Sequence, residues 1–177
     1  NSTDEKQKQA QQAFVGPDGW NYDFMWAVDI NNQEFGDLHT KMGHAVYATG
    51  GVDYDTEATS PFQTPEEVLA FDPFDKLEQP VHSELVSRYE NNYRVRNEQF
   101  PDCVNMGGVY ITCVSGLIDL FGWDLLLMAA GLDPDKFGQL TQRYSEWVQP
   151  YFDALGDADI PVVMVHDDIV WTSGAIF

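Results

Sequence analysis

The densest run of side chains capable of chemistry is His166-Asp167-Asp168, directly after the apolar run Ile160-Pro-Val-Val-Met-Val165. An imidazole followed by two carboxylates can ligate a metal, move a proton or orient a substrate. Three ionisable groups beyond a buried strand are costly unless they are paired, hydrated or metal-bound. His166, Asp167 and Asp168 are therefore the candidate catalytic groups, with His166 and Asp168 the candidate metal ligands. The competing reading has one Asp capping a loop and the other paired with a distant Arg. Asp29 stands in the same relation to the aromatic-rich segment 22–28 and is a candidate substrate contact, with an Asx turn as the alternative. In Asn105-Met-Gly-Gly-Val-Tyr-Ile-Thr112 the paired glycines permit close backbone approach, and Tyr110 and Thr112 could meet a ligand. Tight strand–helix packing explains the same residues equally well. Trp171, just past the acidic pair, completes the candidate substrate contacts. His39 and His44 lie in a Gly-rich stretch and His82 opens a helix. No Walker loop, dinucleotide fingerprint, nucleophile elbow or His-Glu-x-x-His run is present.

The elements that would carry these residues follow from periodicity and punctuation. Residues 4–14 are polar and read as an exposed helix. Gly16-Pro17-Asp18-Gly19 breaks the chain, and 22–28 reads as a strand. Residues 31–63 are irregular. Within them Ala45-Val-Tyr47 and Val52-Asp-Tyr54 flank Gly50-Gly51, as in a small hairpin outside the main sheet. Thr64-Pro-Glu-Glu opens a short capped helix. Residues 81–100 form a long helix, with Val81, Leu85 and Tyr89 on one buried stripe. Residues 103–111 read as a buried strand and 117–130 as an apolar helix broken near Gly122 and ended by Gly131. Asp133-Pro134 caps a helix running to about 155, and 160–165 reads as a strand buried on both faces. Trp20, Trp123 and Trp147 are assigned to the core. This order of strands and helices predicts an α/β protein with a parallel sheet.

The chain has 177 residues, with 29 acidic against 9 basic ones and a net charge of −20. Such a field repels phosphate backbones and anionic lipid, which argues against nucleic-acid and membrane partners. The apolar runs are too short to span a bilayer. Cys103 and Cys113 fit no zinc-site spacing, and two buried free thiols suit a reducing, cytoplasmic setting.

The succession Gly107-Gly-Val-Tyr-Ile-Thr112, an apolar helix, Gly131-Leu-Asp-Pro-Asp135, a long helix and Gly156-Asp-Ala-Asp-Ile-Pro-Val-Val-Met-Val-His-Asp-Asp168 resembles the uroporphyrinogen decarboxylase superfamily. Segments 22–43 and 64–68 resemble that family's early region. The resemblance implies a (β/α)8 TIM barrel, of which this chain would be one partial domain over 1–177, with an irregular insertion at about 31–63. Thr112 matches the decarboxylases' pattern. Tyr110 replaces their proline, and Gly116 falls where their catalytic tyrosine would be. Arginines are few, and three of the four lie on one expected outer helix. The acidic pair resembles instead the methyltransferase branch, which moves a methyl group from a small methoxylated or methylated donor to a corrinoid on a partner protein. That branch implies zinc as Lewis acid, with a homodimer allowed. A uroporphyrinogen decarboxylase-like carboxy-lyase and a non-catalytic binding module are the alternatives.

Overall fold

The computed structural model describes residues 5–6, 9–10, 13, 19–41, 45–48, 51–54, 59–167, 170–171 and 174–175. Much of the expected helix at 4–14, together with His44 and Asp168, lies outside the described residues, as does the Trp171 side chain.

Strand β1 (Phe24–Ile30) leads into a 3-10 helix (Asn32–Leu38). The hairpin β2 (Ala45–Ala48) and β3 (Gly51–Tyr54) follows, antiparallel and separate from the main sheet as the paired glycines predict. Three helices come next: α1 (Pro65–Leu69), α2 (Pro73–Lys76) and α3 (His82–Gln99). Strand β4 (Val104–Val109) precedes α4 (Cys113–Phe121), α5 (Trp123–Leu132) and α6 (Pro134–Asp157). The described chain closes with β5 (Val163–Val165) and the two-residue strands β6 (Val170–Trp171) and β7 (Gly174–Ala175).

The starts of these helices are written locally. Thr64 and Glu67 form a reciprocal capping box on α1, with Pro65 in its first turn. Asp133 accepts the Lys136 N–H ahead of Pro134 at the start of α6. Gly122, at φ 75°, turns the chain between α4 and α5, a conformation a side chain would strain. The two helices meet there at 104°.

The main sheet has the parallel order β1-β4-β5. Its helix-covered face is closed by α3 and α6. There Ile30, Val109, Tyr89, Tyr144, Trp147 and Tyr151 build a continuous core with Phe35 from the 3-10 helix and Leu120 and Phe121 from α4. Three of these groups donate to carbonyls, Tyr144 to Ile111 O (3.0 Å), Tyr89 to Tyr151 O (3.1 Å) and Trp147 Nε1 to Glu78 O (3.2 Å), and the Tyr151 phenol donates to the Glu34 carboxylate (3.4 Å). The opposite face carries Phe24, Trp26 and Val104, all more than a third exposed.

Several expectations are corrected. The fold is mixed α/β, not a (β/α)8 barrel. Among the described residues the parallel sheet has three strands, accompanied by six α-helices and one 3-10 helix. A closed barrel takes eight parallel strands and about 250 residues. Here the stretch between β1 and β4 is spent on a hairpin and short helices, and β5 pairs over three residues. The run at 160–165 is not buried on both faces: β5 is an edge strand, with Val163 44% and Val165 55% exposed. Val81 drops out of the buried stripe because it is the N-cap of α3 and faces solvent. Trp147 is fully buried but Trp20 is 72% exposed. Gly131 lies inside α5 rather than ending it. Cys103 and Cys113 are free thiols, but Cys113 is exposed. No single helix among the described residues is long and apolar enough to cross a membrane.

Candidate functional site

In a parallel sheet the carboxyl ends of the strands leave backbone and loops free to meet a ligand. Here that edge is formed by Ile30, Tyr110 and His166. It is held by the Tyr110 N–H donating to Ile30 O at 2.9 Å and by the Thr112 hydroxyl donating to His166 O at 2.5 Å. The His166 imidazole stacks on the Tyr110 phenol, with centroids 5.0 Å apart and planes 9° apart.

Thr112 sits at the N-cap of α4 but makes no side-chain cap there. Asp167 reaches across from β5 and supplies it. Its carboxylate accepts from the N–H of Val114 (3.1 Å) and Ser115 (2.8 Å) and from the Ser115 hydroxyl (3.1 Å). A carboxylate on the positive end of a helix is stabilising. This is the capping alternative weighed in the sequence, applied to α4 rather than to the next loop.

Asp29 does not join this group. It is 4% exposed and is turned into the layer between sheet and helix, where Arg96 Nη1 (2.7 Å), Arg96 Nη2 (3.2 Å) and Asn92 Nδ2 (3.0 Å) donate to its carboxylate. Arg88 donates to the Asp29 carbonyl at 2.7 Å and pairs with Glu34, also at 2.7 Å. Arg88 and Arg96 therefore point inward, against the expectation of an outer row of arginines. The absent Cβ of Gly107 makes the space: a methyl there would collide with the Asp29 carboxylate.

The structure thus brings Tyr110, Thr112, His166 and Asp167 to one edge and places Asp29 beneath the sheet. It adds one group that sequence reasoning missed. Asp119, on α4, is 9% exposed and lines a cavity of about 470 Å³ with Trp26, Val28, Asn31, Asn32, Gln33 and Tyr110. Burial pushes its carboxyl up to about 6, and the nearby His39 opposes that rise. The sequence signal was available: one acid inside the apolar run Val114-Ser-Gly-Leu-Ile-Asp-Leu-Phe121. A carboxyl with its ionisation shifted toward neutrality beside aromatic and amide side chains in a cavity marks a functional candidate.

Among the described residues no three His, Cys, Asp or Glu side chains converge as metal ligands, and the expected zinc pair His166–Asp168 falls partly outside them. The described residues do not compose a zinc site. No family model matches the sequence, and no curated protein or solved structure is significantly similar to it.

Proposed function

We propose that this chain binds the small methyl donor of a methyl-transfer reaction whose acceptor is a reduced corrinoid carried by a partner protein. The observation that carries this reading is the cavity at the carboxyl edge of the sheet, walled by Trp26, Val28 and Tyr110 and holding Asp119 as its one carboxylate among the described residues. Its volume falls in the range of small-molecule sites. The resemblance of the acidic pair Asp167-Asp168 to the methyltransferase branch supplies the reaction class. A fold does not carry a function by itself, so the cavity's chemistry has to bear it.

That chemistry suits the role. In the transfer, the bond from the methyl carbon to its heteroatom breaks and the heteroatom keeps the electron pair. The methyl group accepts the pair of the cobalt(I) acceptor. The protein's tasks are to orient the donor, exclude water and place charge beside the leaving heteroatom. Tyr110, fixed by its stack on His166, orients the donor. Asp119 is the group placed to respond to charge. Thr112 and Asp167 act at one remove, tying β5 to the start of α4 and so setting the shape of the mouth. Trp26 lies on the sheet face opposite α3 and α6 and is more than a third exposed, which leaves a path for the acceptor.

The runner-up, decarboxylation of a carboxylated tetrapyrrole, needs positive charge for its many carboxylates. Among the described residues the cavity lining contains no Lys or Arg, and Arg88 and Arg96 are already committed to Glu34 and Asp29. A cytoplasmic setting accompanies the methyl-transfer reading, because a reduced acceptor and free cysteines belong in a reducing compartment.

The test is spectroscopic. The folded chain is mixed with reduced cobalamin and a panel of methoxylated and methylated compounds, and formation of methylcobalamin is followed. The expected result is conversion with at least one donor and its loss in Asp119→Asn. No conversion with any donor by folded protein overturns the reading.

A further inference from the structure

The cavity walls are specific about charge. Among the described residues, seven line the cavity: two are electron-rich aromatics, Trp26 and Tyr110, three are neutral amides, and the one ionisable carboxyl is Asp119. The face of an indole or phenol ring attracts a cation through its quadrupole, and onium groups are the ligands best served by such walls. A carboxylate at the same cavity adds direct charge neutralisation, and its low exposure keeps the attraction from being screened by water.

Both aromatic walls are positioned by the backbone. Tyr110 is held by its N–H to Ile30 O and by the parallel His166 ring. The Trp26 indole lies over the bare backbone of Gly108, where a Cβ would come 3.5 Å from Nε1. At whole-molecule scale a net charge of −20 enriches cations at the mouth and repels anions.

We propose that this cavity selects a methylated ammonium cation, a proposal that names the substrate class within the donor-site reading above and rests on it. Such a cation is a competent donor. When its C–N bond breaks, nitrogen keeps the pair and departs as a neutral amine, so the leaving group needs no proton. The methyl group takes the electron pair of the cobalt(I) acceptor, which is oxidised by two electrons.

The experiment is a calorimetric or NMR titration of the full chain at constant ionic strength. The probes are choline chloride and its neutral isostere 3,3-dimethylbutan-1-ol, with sodium chloride as the salt control. Choline is expected to bind at least about tenfold more tightly than the isostere. That preference should vanish in Asp119→Asn and weaken in Trp26→Leu, with both variants checked for native near-UV circular dichroism. Equal binding of the two probes, or preference for the isostere, overturns the proposal. So does a choline preference that survives in folded Asp119→Asn. The donor panel separates the two readings. Choline selectivity without any methylcobalamin formation removes the transfer reading and leaves the ligand class standing. Demethylation of a methyl ether by a chain that ignores choline does the reverse.

Discussion

Asp119 lines the candidate cavity and opposes stability. A carboxyl pushed from 3.8 up to about 6 by burial holds its proton more tightly in the folded chain than in the unfolded one. Its contribution is therefore neutral below the unfolded value, grows destabilising as pH rises from 3.8 to about 6, and is constant above that. His39 and Tyr144 are the titratable neighbours that feel its charge. Asp119→Asn should accordingly stabilise the chain at pH 8 by up to about 3 kcal/mol and leave it unchanged at pH 4. Melting temperatures at the two pH values check this, and an equal shift at both would remove the buried-carboxylate account. Asp29 and Arg96 behave oppositely. Their pair is nearly enclosed, with side-chain exposures of 2% and 12%. Arg96→Met leaves a buried, unpaired carboxylate and should cost about 3–5 kcal/mol in urea unfolding. The double change Asp29→Leu with Arg96→Met should recover most of that loss.

At the scale of elements, the joint between β5 and α4 decides the shape of the mouth. The helix that begins the cavity wall is capped by a residue more than fifty positions later in the chain, because Thr112 donates its hydroxyl to His166 O rather than capping α4 itself. Asp167→Ala removes the acceptor from the N–H groups of Val114 and Ser115 and should cost about 1–2 kcal/mol. Asp167→Asn keeps one acceptor oxygen and should retain most stability and most activity. If Asp167→Asn abolished methyl transfer in a chain of unchanged melting temperature, Asp167 would be a catalytic residue rather than a cap. The start of α1 is a simpler case: Thr64→Ala opens a complete capping box and should cost about 1 kcal/mol with no effect on ligand binding.

For the molecule as a whole, 29 acids against 9 bases make self-repulsion a standing term against compactness. Salt shortens the reach of that repulsion to about 10 Å at 0.1 M. Melting temperature should therefore rise when sodium chloride is raised from 20 to about 500 mM. The enclosed Asp29–Arg96 pair is screened little and does not offset the gain. A flat or falling melting temperature would mean that exposed ion pairs such as Arg143–Asp72 and Arg94–Glu98 outweigh the net charge.

What the sequence determined by itself was local. Thr64-Pro65, Asp133-Pro134, Gly50-Gly51 and Gly122 mark their turns and caps because each depends on a few adjacent residues and on backbone sterics. The rule that parallel strands end on one side suggested Asp29 beside 166–168, yet the structure brings Tyr110 and Thr112 there and turns Asp29 onto Arg96. Only the tertiary structure decided the rest. An apolar run such as 160–165 reads alike whether its strand is central or at an edge, because hydropathy records what a residue tolerates and not what covers it. The arginines of α3 could face water or the sheet, and Gly107 together with Asp29 settles that Arg88 and Arg96 turn inward while Arg94 stays exposed. Asp119 became a candidate only when α4 folded against the 3-10 helix, since burial is a property of neighbours brought together from distant parts of the chain.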